Sequence, residues 1–205
     1  MPVYEIYVEK KPDFAEEARA VAADLRLGLQ IENITSLRII NRYFVEGISP
    51  EDFESAKTTI FSEPPADIIY DKLPALDGAF TIAVEYLPGQ YDQRADSAAQ
   101  CISLAFGKER PVVRTAKIYA VYGSISASGR ERVKSWLINP VECREALLDV
   151  PQTLAENYPQ PQDVEILNGF TLFDNNELEK LRDNFGLAMD IYDMQFCQAY
   201  FRDKE

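Results

Sequence analysis

YEIYVEKKP at residues 4–12 and FTIAVEYLP at residues 80–88 decide the fold, because they read as one strand and turn written twice. Tyr4, Ile6, Val8, Glu9 and Pro12 recur 76 positions later as Phe80, Ile82, Val84, Glu85 and Pro88. Tyr4, Ile6 and Val8 alternate as Phe80, Ile82 and Val84 do, which is the period of a strand with one buried face closed by a turn. Downstream of each copy the offset becomes 77, and Phe14, Ala18, Val21, Ala22, Leu25 and Leu29 match Tyr91, Ala95, Ala98, Ala99, Ile102 and Phe106. That spacing is the apolar face of an amphipathic helix, twice.

The offset then returns to 76. Arg38, Tyr43, Val45 and Gly47 answer Arg114, Tyr119, Val121 and Gly123, which gives a second strand closed by glycine in each half. Ser49 reads as an N-cap with Pro50 at the first helical position and Asp52 as its partner, and Phe53, Ala56 and Ile60 are expected inside. The matching helix buries Val133, Trp136 and Leu137, with Gly129 weakening its start. DIIYDK supplies a last strand, and its counterpart near REALL is poorly defined. The expected fold is therefore α+β: two strand-helix-strand-helix-strand units forming a pseudo-dimeric sheet with helices packed on it. The duplicated domain is expected over 1–147, with halves of about 1–75 and 78–147.

Residues 148–168 carry three prolines and read as a linker. From 169 to 205 helical pattern resumes. Leu178, Leu181 and Phe185 form a stripe ending at Gly186, and Asp190 starts a second helix with Ile191, Met194, Cys197 and Phe201 on one face. FRDKE has no C-cap signal, so the natural polypeptide is expected to continue.

Composition excludes more than it assigns. With no histidine among 205 residues, the Ser-His and Cys-His nucleophile pairs and the commonest transition-metal ligand are missing. Cys101, Cys143 and Cys197 are odd in number, dispersed and outside any CxxC pair, which argues against a disulfide framework or a thiolate metal site. A formal net charge of −13 disfavours nucleic-acid binding. No apolar run nears the roughly 20 residues of a membrane span, and the start lacks a signal-peptide pattern, so a cytosolic location is expected.

The most unusual stretch is PGQYDQRADSAAQC at residues 88–101. Asp92 should cap a helix whose outer stripe is Gln93, Asp96, Ser97, Gln100 and Ser103. Between Ser97 and Phe106 there is no charge, whereas the first-half helix carries Glu16, Glu17, Arg19, Asp24 and Arg26. A solvated helix normally displays Lys and Glu, so this one is expected to be covered by another domain or a ligand. Asp92 and Arg94 read either as an anion-clamping helix entrance or as an internal cap plus ion pair. GKERPVVRTAK at 107–117 reads as a solvated edge in preference to an anion site, with Arg114 and Lys117 on opposite faces. INPVECRE at 138–145 reads as a domain-closing Asn-Pro turn with surface ion pairs.

FSEP (61–64), LPGQYDQRADSAAQC (87–101), VRTAKIY (113–119), NPVECRE (139–145), DNFGLAMD (183–190) and FCQAYF (196–201) together resemble the amino-terminal region of large, single-chain phosphoribosylformylglycinamidine synthases. Cys143 stands where serine is expected in many relatives. The resemblance implies a small-subunit-like assembly domain followed by the start of a helical linker domain. It implies an enzyme of purine biosynthesis that uses glutamine, ATP and magnesium to convert formylglycinamide ribonucleotide to the amidine. The implied partners are the synthase and glutaminase domains of the same polypeptide, which hold the catalytic residues; none is assigned here, nor any cofactor or metal ligand. Asp92, Gln93, Arg94, Asp96, Ser97 and Gln100, supported by Asn139 and Arg144, are expected to face another domain. A free-standing regulatory protein that binds a small molecule between two α+β halves is the alternative.

Overall fold

The computed structural model describes residues 2–155, 163–164 and 166–204. The chain forms two compact units, 1–156 and 157–205. In the first, strands β1 (Val3–Lys10), β2 (Ile34–Glu46), β3 (Asp67–Tyr70), β4 (Ala79–Tyr86), β5 (Val112–Gly123) and β6 (Cys143–Glu145) build one antiparallel sheet. Four helices belong to this unit: α1 (Glu16–Leu27), α2 (Pro50–Thr59), α3 (Gln93–Phe106) and α4 (Ala127–Leu137).

The strand order is β3-β1-β2-β5-β4-β6. Read outward from the centre, each side runs second strand, first strand, third strand. The registers agree with the sequence offset. Ile6 faces Tyr43 as Ile82 faces Tyr119, and Val8 faces Ile69 as Val84 faces Glu145, each residue standing 76 positions from its counterpart. Where the central strands meet, Asn41 pairs with Lys117, its own counterpart at that offset.

Alternation along the strands sends one set of side chains to the helices and the other to the opposite face. On the helix side lie two interleaved cores. Ala18, Ala22 and Leu25 of α1 pack with Leu37 and Ile39 of β2, Ile82 and Val84 of β4 and Val133 of α4. Ala98 and Ile102 of α3 pack with Ile6 and Val8 of β1, Tyr43 and Val45 of β2 and Phe53 and Ala56 of α2. Each core therefore draws on both halves of the sequence, and neither half closes a core alone. The opposite face is thinner, with Tyr7, Ile40, Ala83, Ala116, Ile118 and Ala146 buried beside Tyr70, Leu73 and Leu76.

Local chemistry sets the helix starts. Ser49 Oγ accepts the Asp52 amide hydrogen, as the capping pattern predicts, whereas the Asp52 carboxylate accepts from the Ser49 hydroxyl and not from the Ser49 amide. Ser126 caps α4 through the Gly129 amide, and a Cβ on Gly129 would stand 3.0 Å from Ile125 Cγ2, so close packing explains the glycine. The expected burial of the α4 stripe is half right. Val133 is buried and Leu137 partly so, but Trp136 is 44% exposed at the outer side of the helix.

The first unit extends past the expected close at 147, because residues 146–155 return across the helix-free face and bury Leu154. Of the expected linker, residues 156–162 and 165 lie outside the described residues. In the second unit, α5 (Asn175–Phe185) and α6 (Ile191–Arg202) each start with a complete capping box, at Asp174 with Glu177 and at Asp190 with Asp193. Leu178 and Met194 are buried, whereas Phe185 and Phe201 are exposed. Gln198 is buried instead, its amide donating to the carbonyls of Phe170 and Phe173.

Candidate functional site

The segment 87–101 enters α3 through a turn whose anchor is Asp92. One carboxylate oxygen accepts the Ala95 amide hydrogen at 2.9 Å and the other accepts the Thr115 hydroxyl at 2.7 Å. Both oxygens are thus engaged within the chain, and Asp92 fixes the helix to β5. Among the described residues Arg94 makes no ion pair to a neighbouring strand; it donates to the Tyr43 hydroxyl at 3.1 Å.

The outer stripe of α3 differs from the expected one at two places. Asp96 is turned aside, accepting from Arg110 at 2.5 Å and from the Tyr91 hydroxyl at 3.1 Å, and Ser103 donates to the Lys108 carbonyl. Arg110, with help from Tyr91, holds the Asp96 carboxyl below its usual range. Exposed instead are Gln93, Arg94, Ser97, Gln100, Cys101 and Leu104, the last 76% exposed. From Ser97 to Phe106 the exposed surface carries no charge, as the sequence required.

A groove of about 570 Å³ runs beside this helix, lined by Asp92, Gln93, Arg94, Ser97, Lys117 and Tyr119 among others. Burial pushes the Tyr119 phenol up to about 12, so it stays a neutral donor. Tyr43 and Tyr119, which the sequence reading treated only as repeat markers, form part of the wall. Their recurrence on the two central strands was the available signal. Arg144 lines an adjacent cleft of about 400 Å³ together with Gln90, Asp92 and Arg114, and donates to Glu85 at 2.8 Å. Gln100 and Asp96 line neither opening. Asn139 is also outside both and works within its turn, accepting the Val141 amide hydrogen through its side chain and the Cys143 amide hydrogen through its carbonyl.

The basic run at 107–117 is not a sheet edge, although residues 107–110 and Val112 are exposed to solvent. β5 lies in the middle of the sheet, and the four cations are engaged internally: Lys108 with Asp52, Arg110 with Asp96, Arg114 with the Leu154 carbonyl and Lys117 with Glu17. Arg114 and Lys117 do leave opposite faces of the sheet.

Burial pushes the Cys143 thiol up, away from the reactive thiolate. Among the described residues no group of three or more His, Cys, Asp or Glu is placed to hold a metal ion, and no helix is long and apolar enough to cross a membrane. The arrangement offers a rigid polar helix face beside a groove, which suits recognition. No protein-family model matches the chain, and no curated protein matches it.

Proposed function

We propose that this chain is the amino-terminal assembly module of a large, cytoplasmic phosphoribosylformylglycinamidine synthase, built from a duplicated α+β unit. In that role it bridges the glutaminase and synthase domains and supports ammonia transfer between them, while ATP, magnesium and the reacting groups bind elsewhere in the polypeptide. The observation that carries the reading is the outer face of α3 from Ser97 to Phe106, uncharged and left open in a chain of net charge −13. An uncharged face of amides, hydroxyls and small side chains loses little on desolvation and can hydrogen-bond across an interface. The common 76-residue offset in the sheet registers supports the duplication.

Reading the source gene onward from Glu205 tests the assignment directly. Continuation into a histidine-containing synthase motif and a glutaminase nucleophile is expected, with glutamine- and ATP-dependent amidine formation by the whole product and none by residues 1–205. A stop codon after Glu205, or amidine formation by the fragment alone, would overturn it. The groove beside α3 favours a second reading, a free-standing regulatory protein. Calorimetry of residues 1–205 with nucleotides and amino acids decides between them, since tight and specific binding belongs to the second.

A further inference from the structure

Residues 146–155 cross the helix-free face of the sheet, and their attachment is unlike that of any strand. At the near end Ala146 donates to the Ala83 carbonyl and is buried with Ile40, Ala116 and Ile118. At the far end Leu154 is 1% exposed, its amide donating to Glu46 at 2.6 Å and its carbonyl accepting from Arg114 at 2.7 Å. Thr153 adds a hydroxyl hydrogen bond to the same Glu46 carboxylate at 2.9 Å. Between these ends no side chain from Leu147 to Thr153 is buried, and Leu147 is 81% exposed.

A further contact lies beside the near end. Arg42 lies beneath the segment, 2% exposed, and donates to the Leu147 carbonyl at 2.5 Å. Its guanidinium stacks 4.2 Å above the Phe44 ring and stands 3.6 Å from Glu85, yet its Nε has no hydrogen-bond partner among the described residues. A buried guanidinium with an unmet donor favours any state that admits water. The segment is thus fastened by polar groups at a few points, over a buried cation that gains partners when it lifts. Such a segment opens locally before the sheet unfolds, because little apolar surface is uncovered.

We infer that residues 147–155 are a releasable strap, latched at its far end by Glu46 and Arg114, whose opening lengthens the connection between the two compact units while the sheet stays folded. Closed, the strap withholds residues 147–155 from that connection. Released and extended, they add roughly 30 Å of reach at about 3.3–3.6 Å per residue. Reach of this kind sets the effective concentration of one unit near the other's binding partners, so the latch can tune assembly without a new contact. The inference is independent of the enzyme family proposed above.

Hydrogen exchange on residues 1–205, read by mass spectrometry, tests it alongside limited thermolysin digestion. Glu46→Ala is expected to speed exchange at Thr153–Ala155 about tenfold or more, as for loss of a charge-assisted hydrogen bond. Cleavage before Leu154 should rise in parallel, with β2 and β5 amides unchanged. Thr153→Ala should give a smaller change in the same direction, and it carries the test if Glu46→Ala does not fold. The strap is refuted if these amides exchange only in step with β2 and β5, or if neither variant alters them.

Discussion

Helices α1 and α3 occupy matched places in the two halves, agree on their inner faces and disagree on their outer ones. Inside, Ala18, Ala22 and Leu25 are 6%, 4% and 0% exposed and their counterparts Ala95, Ala99 and Ile102 are 7%, 4% and 2% exposed, so the buried register is common to both. Outside, Glu16, Glu17 and Asp24 of α1 give way to Gln93, Arg94 and Cys101 of α3. The inner residues answer to a sheet whose registers repeat, whereas the outer ones answer to whatever lies beyond. A solvated surface selects charge, and a surface destined for cover does not.

The largest test strikes the shared inner face. Leu25→Ala and Ile102→Ala should each destabilise the first unit by about 2–5 kcal/mol, the usual cost of such a cavity, measured by urea unfolding. The two losses are expected to agree within about 1 kcal/mol, because each residue anchors an equivalent interleaved core. A loss at one site only would break the equivalence of the two helices.

That inner face was legible because burial in an amphipathic element leaves a period in the sequence. The pairing of Ile6 with Tyr43 and of Ile82 with Tyr119 follows from the same alternation. Position within the sheet was less legible. The basic run at 107–117 looked like an edge, since Lys and Arg normally mark solvent, but each cation met a partner supplied by distant sequence. Arg42 gave no sign of its burial for the same reason. The strap left almost no trace, because Leu147 and Leu154 are fastened largely through backbone atoms that any residue would supply. Trp136 was assigned to the buried face with Val133 and Leu137, yet the α4 core is filled by Val133 and by α1. At the site, Asp92 was readable as a cap, while its bond to Thr115 depends on how α3 lies against β5.

The two helix entrances offer a smaller contrast. Asp92→Ala removes the α3 cap and the Thr115 bond together and should cost about 1–2 kcal/mol in the same urea assay. Its counterpart Ala15 makes no side-chain cap, and its backbone, at φ −84° and ψ 46°, is not in the extended conformation that a capping side chain uses. Ala15→Ser should therefore gain no more than a few tenths of a kcal/mol. A large gain there would mean that the asymmetry lies in residue choice and not in backbone geometry.

Acid should separate the halves further. Arg19 is the α1 counterpart of Asp96, and it donates to the Pro12 carbonyl and to Glu16. With the Asp96 carboxyl held below its ordinary value, its contribution to stability is present above the ordinary carboxylate range and is lost as pH falls through the lowered value. Asp96→Asn should flatten the decline of the thermal midpoint between about pH 5 and pH 2. An unchanged slope would show that Arg110 does not favour the ionised form.

The smallest effect on folding carries the sharpest consequence for the outer face. Gln100 is exposed at the middle of α3, makes no hydrogen bond among the described residues and has a helix propensity close to that of glutamate. Gln100→Glu should leave the stability of residues 1–205 within about 0.5 kcal/mol, as for other surface changes. If α3 is covered in the complete protein, the same substitution buries an unpaired carboxylate at an interface, which costs several kcal/mol unless a cation answers it. On the assignment proposed above, residues 1–205 should fold normally while the full-length synthase loses compactness in small-angle scattering and loses turnover. Ala23→Glu, at the equivalent position of α1, should leave the compactness and turnover of that synthase unchanged. Equal tolerance of both substitutions there would mean that the uncharged face of α3 is an ordinary solvent surface, and the contrast between the two helices would carry no functional meaning.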